Sequence, residues 1–150
     1  LSSEEDTTKR PFSLEFPKEL SAAHFVKLYL REGDKVVSEN FYIRGTEEGN
    51  YQAIRQMPKV ELRQDVTINK RIDNNWEGSV TLTNPSQTPA LMIRINLLGA
   101  EDGDQILPVF YSDNYFALLP NESKTVTFRF KDIDTRGTTP KMVVTGYNVK

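Results

Sequence analysis

Apolar residues in this chain recur at every second position, and that alternation constrains its fold more than any other feature. From Glu77 to Thr83 the inward positions are Val80 and Leu82. Leu91, Ile93, Ile95 and Leu97 form the longest apolar stripe, with Arg94 and Asn96 on the opposite side. A third run sets Val126, Phe128 and Phe130 against Thr125, Thr127 and Arg129. Successive side chains of a strand point to opposite faces, so each run reads as a strand with one face on a core. Turn-forming clusters separate the runs: Glu32-Gly33-Asp34-Lys35, Asp73-Asn74-Asn75, Asn84 to Pro89, Asp102-Gly103-Asp104 and Pro120-Asn121. In the last of these, proline presets φ at the first central position and Asn accepts a positive φ at the second. About seven short strands with no convincing long helix imply an all-β, immunoglobulin-like antiparallel β-sandwich. The chain has no cysteine to pin two sheets together, so packing alone must hold the core. The expected core is Val80, Leu82, Leu91, Ile93, Ile95, Val126, Phe128 and Val144.

The organisation predicted along the chain has three parts. Residues 1–11 are charged and hydroxyl-rich without periodicity and read as a mobile tail. Residues 12–57 read as an additional N-terminal β segment and a linker. Its strands are expected at Phe12–Phe16, Phe25–Leu30 and Val36–Ile43, followed by the polar stretch from Arg44 to Asn50 and a helical turn over Tyr51–Arg55 that Met57-Pro58 ends. Residues 58–150 read as the sandwich. It opens with short strands at Val60–Leu62 and Val66–Ile68 and closes with one over Met142–Val149.

Composition removes whole classes of function. A net charge of -2 with no Lys/Arg-rich block argues against a nucleic-acid surface. No apolar run approaches the roughly 20 residues that span a bilayer. Without cysteine there is no thiol catalysis and no zinc-thiolate site. His24 is the only histidine, so neither a His-based triad nor a two-His metal site can form within one chain. Asp102-Gly103-Asp104 and Asp132-Ile133-Asp134 lack the spaced oxygen ligands and distal Glu of a calcium loop. No cofactor or metal site is expected. Most of the acids, among them Asp73, Asp102, Asp104, Glu122, Asp132 and Asp134, fall in turns or on solvent faces, so no catalytic residue is assigned.

The densest stretch runs from Ile106 to Phe128, where Leu107-Pro108-Val109, Tyr111-Ser112-Asp113-Asn114-Tyr115-Phe116 and Leu118-Leu119-Pro120-Asn121-Glu122-Ser123 follow one another. Aromatic faces stack on the C–H face of pyranose rings while Asp and Asn side chains bind hydroxyls. Tyr111, Asp113, Asn114 and Tyr115 are therefore the candidate carbohydrate contacts, with Trp76, Phe116 and Tyr147 as further aromatics. The same residues suit a structural role, since aromatics at strand ends seal sandwiches and Asp/Asn pairs bond their own turn backbone. Asn121-Glu122-Ser123 also matches a glycosylation acceptor, and the turn explains it better.

These motifs, together with Val37-Ser38-Glu39-Asn40-Phe41-Tyr42, Asn84-Pro85-Ser86 and Val144-Thr145-Gly146-Tyr147-Asn148, resemble the C-terminal immunoglobulin-like domain of glycoside hydrolase family 2 enzymes. The nearest likeness is to the exo-β-glucosaminidase and β-mannosidase branch. Asn121 stands where that family usually carries glycine, and Tyr147 where it usually carries tryptophan. The resemblance implies a non-catalytic accessory domain of a secreted or periplasmic hydrolase that cleaves a β-linked mannoside, glucosaminide or related sugar with retention. It places the catalytic glutamates in a separate barrel and makes Phe25 to Ile43 the last strands of a preceding immunoglobulin-like domain. The implied partners are that preceding domain and the barrel, with an oligosaccharide at the substrate entrance. If the N-terminal segment lacks its neighbouring strands, its apolar face must pack on the sandwich or on a second copy as a dimer. Two other roles fit the fold: a freestanding carbohydrate-binding module, and a protein-interaction or adhesion domain.

Overall fold

The computed structural model describes residues 4–47, 49–71 and 73–150. They fall into two compact units, the first ending at Gln56 and the second beginning at Met57.

The first unit is built on one antiparallel hairpin, β1 (Ala23–Glu32) and β2 (Lys35–Gly45), and ends in a 3-10 helix over Gln52–Gln56. Gly33 turns the hairpin at φ +58, a conformation that costs glycine nothing. Phe25 and Phe41 stack across the pair with centroids 5.6 Å apart. The strand expected at Phe12–Phe16 does not form, and its three apolar side chains are exposed. Alternation specifies a strand only where a neighbouring edge supplies hydrogen bonds, and here none is paired with it. The segment 12–43 therefore carries two strands, not three.

The second unit is a sandwich of seven strands. They are β3 (Arg63–Lys70), β4 (Asn75–Thr83), β5 (Ala90–Gly99), β6 (Phe110–Tyr111), β7 (Phe116–Leu118), β8 (Ser123–Lys131) and β9 (Pro140–Thr145). One sheet has the order β3-β4-β8-β6 and the other β7-β5-β9, with every pair antiparallel. From β4 onward the chain changes sheet at each step. A short 3-10 helix over Asp132–Thr135 links β8 to the crossing that precedes β9.

The alternation read from sequence is the inner face. Val80 and Leu82 of β4 and Val126 of β8 meet Ile93 and Ile95 of β5 and Phe116 and Leu118 of β7. Toward the other end Leu97, Ile106, Phe128 and Phe130 form a second cluster, flanked by Trp76 and Tyr111. Val144, also expected in the core, is half-buried against the first cluster. Gly78 lets the Phe128 ring lie flat on β4, since a Cβ there would fall 2.6 Å from the ring's Cζ and into the Thr67 carbonyl.

Several boundaries differ from expectation for local reasons. Val60 makes only a single parallel bridge to Val149, so Val60–Leu62 is a buried extended segment rather than a strand. The closing strand stops at Thr145, because the chain then turns so that Tyr147 N–H bonds Leu91 O at 2.9 Å. Within β5, Leu91 and Met92 both fit between the pairs Ala90–Leu118 and Ile93–Phe116, where β7 has only Ala117. That bulge buries Leu91 and turns Met92 outward at φ +51.

Candidate functional site

The stretch from Ile106 to Ser123 carries the candidate residues, and it threads both sheets. Ile106 is buried, with its N–H on Leu97 O at 3.0 Å. Phe110 stands opposite Arg129 on the outer face of the four-stranded sheet, and Tyr111, opposite Phe128, points inward. The Tyr111 ring packs on Phe128, and its hydroxyl oxygen accepts the Leu97 N–H at 3.0 Å. Burial pushes the Tyr111 phenol up, and the bond from Leu97 offsets part of that.

The next three candidates belong to one turn. The Asp113 carboxylate caps the Asn114 N–H at 2.7 Å and pairs with Lys124 at 2.5 Å. The Asn114 side chain acts as a strand edge toward β5: its Oδ1 accepts from Ile95 N at 2.9 Å and its Nδ2 donates to Ile95 O at 3.0 Å. Tyr115 follows with φ +60, and its N–H returns to Asn114 Oδ1 at 3.0 Å. Its ring is 67% exposed, with the Arg94 guanidinium 5.8 Å from the centroid. Of the four candidate carbohydrate contacts, then, Tyr111, Asp113 and Asn114 are already bonded within the domain. Tyr115 alone presents an open aromatic ring.

The other aromatics divide the same way. Trp76 stacks on Phe130 with centroids 5.8 Å apart and donates its indole N–H to Asp132 at 2.7 Å. Phe116 is buried and Tyr147 is exposed. Beside Trp76 an open groove of about 990 Å³ is lined in part by Glu77, Phe110, Arg129, Ile133 and Asp134. Phe110 is 61% exposed and Ile133 is 80% exposed, and Leu107 near Phe110 in the chain is 60% exposed. Sequence reading missed this patch because Phe110 lies in a two-residue strand and Ile133 in a one-turn helix, both too short to show a period.

The carboxylates are spent on local structure. Asp132 accepts from Lys70 at 2.8 Å and from Trp76, and these bonds, Lys70 first, hold its carboxyl below the ordinary range. Asp73 is lowered by hydrogen bonds from Asn75, and Glu101 by those from the Thr139 hydroxyl and N–H. Glu77 pairs with Arg71, and Glu122 accepts Leu119 N–H at 2.8 Å.

Two buried asparagines, inside motifs that carried the family resemblance, prove to be structural hubs. Asn84 Nδ2 donates to Thr88 O at 2.8 Å and Leu118 O at 3.0 Å, while its Oδ1 accepts from Ser86 N and Oγ. Asn148 Nδ2 donates to Pro58 O and Pro89 O, and its Oδ1 accepts from Leu91 N.

A family model described as the exo-β-D-glucosaminidase Ig-fold domain matches residues 40–149. The chain belongs to that family. This exo-β-D-glucosaminidase Ig-fold domain is 32% identical over 105 residues to an exo-β-D-glucosaminidase of Arthroderma benhamiae, covering 70% of this chain and 11% of the relative. It is 28% identical over 110 residues to an exo-β-D-glucosaminidase of Streptomyces avermitilis, covering 72% of this chain and 12% of the relative. Among solved structures, the exo-chitosanase CsxA of Amycolatopsis orientalis shares the fold, with a TM-score of 0.81 at 22% identity, over 88% of this chain and 18% of that one. The 88% share exceeds what the second unit can supply, so the likeness takes in part of the first. The Ig-fold domain thus spans about one ninth of the curated relatives it matches. Asn84, Asn121 and Asn148 all lie inside the matched span, and in this domain each serves the backbone.

Proposed function

We propose that this Ig-fold domain is a non-catalytic accessory module of a multi-domain exo-β-D-glucosaminidase acting on β-linked glucosamine, and that it works by docking onto the enzyme's other domains. The observation that carries this is the pair of exposed apolar side chains, Phe110 and Ile133, that line one groove together with Trp76 and Pro108. Large apolar side chains gathered in one place mark an interaction surface. The carboxylates support the non-catalytic part. A glycosidase's acid catalyst needs a raised pKa opposite a second carboxylate, whereas the Asp and Glu shifts resolved in this domain, at Asp73, Glu101 and Asp132, run downward.

The hairpin β1-β2 supports a further part of the reading, that it is the end of a preceding immunoglobulin-like domain. A lone two-stranded hairpin is marginal in water, and Tyr29, Leu30, Val36, Val37 and Tyr42 are exposed on this one. Strands from the rest of that domain would cover them.

The test compares the full-length gene product with the 150-residue chain. Release of glucosamine from chitosan oligomers is expected from the full-length protein and not from the chain. The Phe110→Ser/Ile133→Ser variant should lower the thermal midpoint of the full-length protein by several degrees and leave that of the chain nearly unchanged, because both side chains are already in water there. Glucosamine release by the chain alone, or equal midpoints for variant and parent in the full-length protein, would overturn the reading.

A further inference from the structure

We propose that a second surface, the outer side of the β7-β5-β9 sheet at Met92, Arg94 and Tyr115, is an interface for a carboxylate-bearing protein surface on another domain of the same hydrolase. This rests on the multi-domain reading above and adds a second contact, on the opposite sheet from the Phe110 groove.

The backbone supplies the first argument. Met92 and Tyr115 both sit at left-handed φ, +51 and +60, where bulky L-residues are outliers. If these positions served only the path of the chain, glycine or asparagine would fill them with less strain. The same domain does this at Asn74, Gly103, Asn121 and Gly137, and departs from it elsewhere only at Arg136, φ +53, which caps the C-terminal end of the Asp132–Thr135 helix. Instead, two large side chains occupy these backbone positions and are turned into solvent, Met92 57% and Tyr115 67% exposed. The bulge and the turn set these two backbone angles, but neither calls for a large side chain, and a strained position that projects one into solvent points to a use for it.

Arg94 decides the kind of partner. It lies one residue beyond the Ile93–Phe116 pair, with its guanidinium over the Tyr115 ring. Among the described residues no carboxylate forms an ion pair with it, and the nearby Asp113 is taken by Lys124. A guanidinium fork held against an aromatic ring is suited to a bidentate carboxylate. Methionine, tyrosine and arginine are also the residues enriched where protein interfaces bury most. A glucosamine oligomer fits poorly, because its ammonium groups meet the guanidinium as like charges and the acid nearest Tyr115 in the chain, Asp113, is paired with Lys124.

The experiment is hydroxyl-radical footprinting of the 150-residue chain and of the full-length gene product, read by mass spectrometry at Met92 and Tyr115. Oxidation of both should be about 10-fold slower in the full-length protein, as expected for a contact worth one decade in closure. Arg94→Glu in the full-length protein should restore the faster rates. Equal rates in the two unsubstituted proteins overturn the proposal. So does protection of the 150-residue chain by millimolar chitosan oligomer, which would make the face a saccharide site. Glucosaminidase activity is read separately, so an inactive full-length protein would remove the parent reaction without deciding whether this face is covered.

Discussion

Single side chains in this domain do the work that disulfides do in other sandwiches. Asn148 ties its own segment to two others through Pro58 O, Pro89 O and Leu91 N, and is 1% exposed. Truncation leaves those groups buried without partners at about 1–3 kcal/mol each. Asn148→Ala should therefore lose about 3 kcal/mol or more in urea unfolding, with Trp76, the only tryptophan, as the fluorescence probe. Asp132 gives a pH signature. Its carboxyl titrates below its ordinary value of 3.8 because Lys70 and Trp76 bond the charged form. The stability it adds is complete above that ordinary value and is lost as pH falls through the lower folded-state value. Asp132→Asn should lower the urea midpoint at neutral pH and make its decline below about pH 4 shallower. Asp73 and Glu101, lowered likewise, should keep some of that decline. Asn84 and Asn148 stood in motifs that carried the family likeness, with no role assigned to either from sequence. That their amides bond backbone was not visible there, since the partners lie up to 90 residues away.

At the scale of elements, turn and strand chemistry agree. Asn121 sits at φ +63 beside Pro120, as the turn composition implied. Asn121→Gly should leave the denaturation midpoint almost unchanged, while Asn121→Val should cost about 1–2 kcal/mol through the crowding of its Cβ in the left-handed region. Gly78 is the close approach on which β4 and β8 depend. Gly78→Ala drives a methyl group into the Phe128 ring and the Thr67 carbonyl, and an overpacked core of this kind should lose about 1–3 kcal/mol by urea titration. The long strands β4, β5 and β8 were legible because each repeats its alternation several times. β6 and β7, two and three residues long, were not, and they carry the residues that decide which candidates remain open to a ligand. The run Phe12–Phe16 shows the reverse error, with alternation and no partner edge.

The whole molecule consists of one unit with a complete core and one without. The sandwich from Met57 encloses buried residues from both sheets, and a fragment of residues 57–150 should show a dispersed amide NMR spectrum and a single unfolding transition. A fragment of residues 1–56 should show neither, since a two-stranded hairpin has no second layer to bury its face. A cooperative transition in the shorter fragment would contradict the view that it is completed by strands from elsewhere.

The sequence by itself determined the class of the fold, the inner face of each long strand, the turns and the family, because all of these follow from local periodicity, turn chemistry and ordered motifs. Only the tertiary structure decided which aromatics are free. Tyr111 and Tyr115 are four residues apart in the same kind of local sequence, yet one hydroxyl is spent on Leu97 and the other ring stands in water over Arg94. Exposure depends on which distant strand lies opposite a residue, and one-dimensional patterns do not carry that across a two- or three-residue strand.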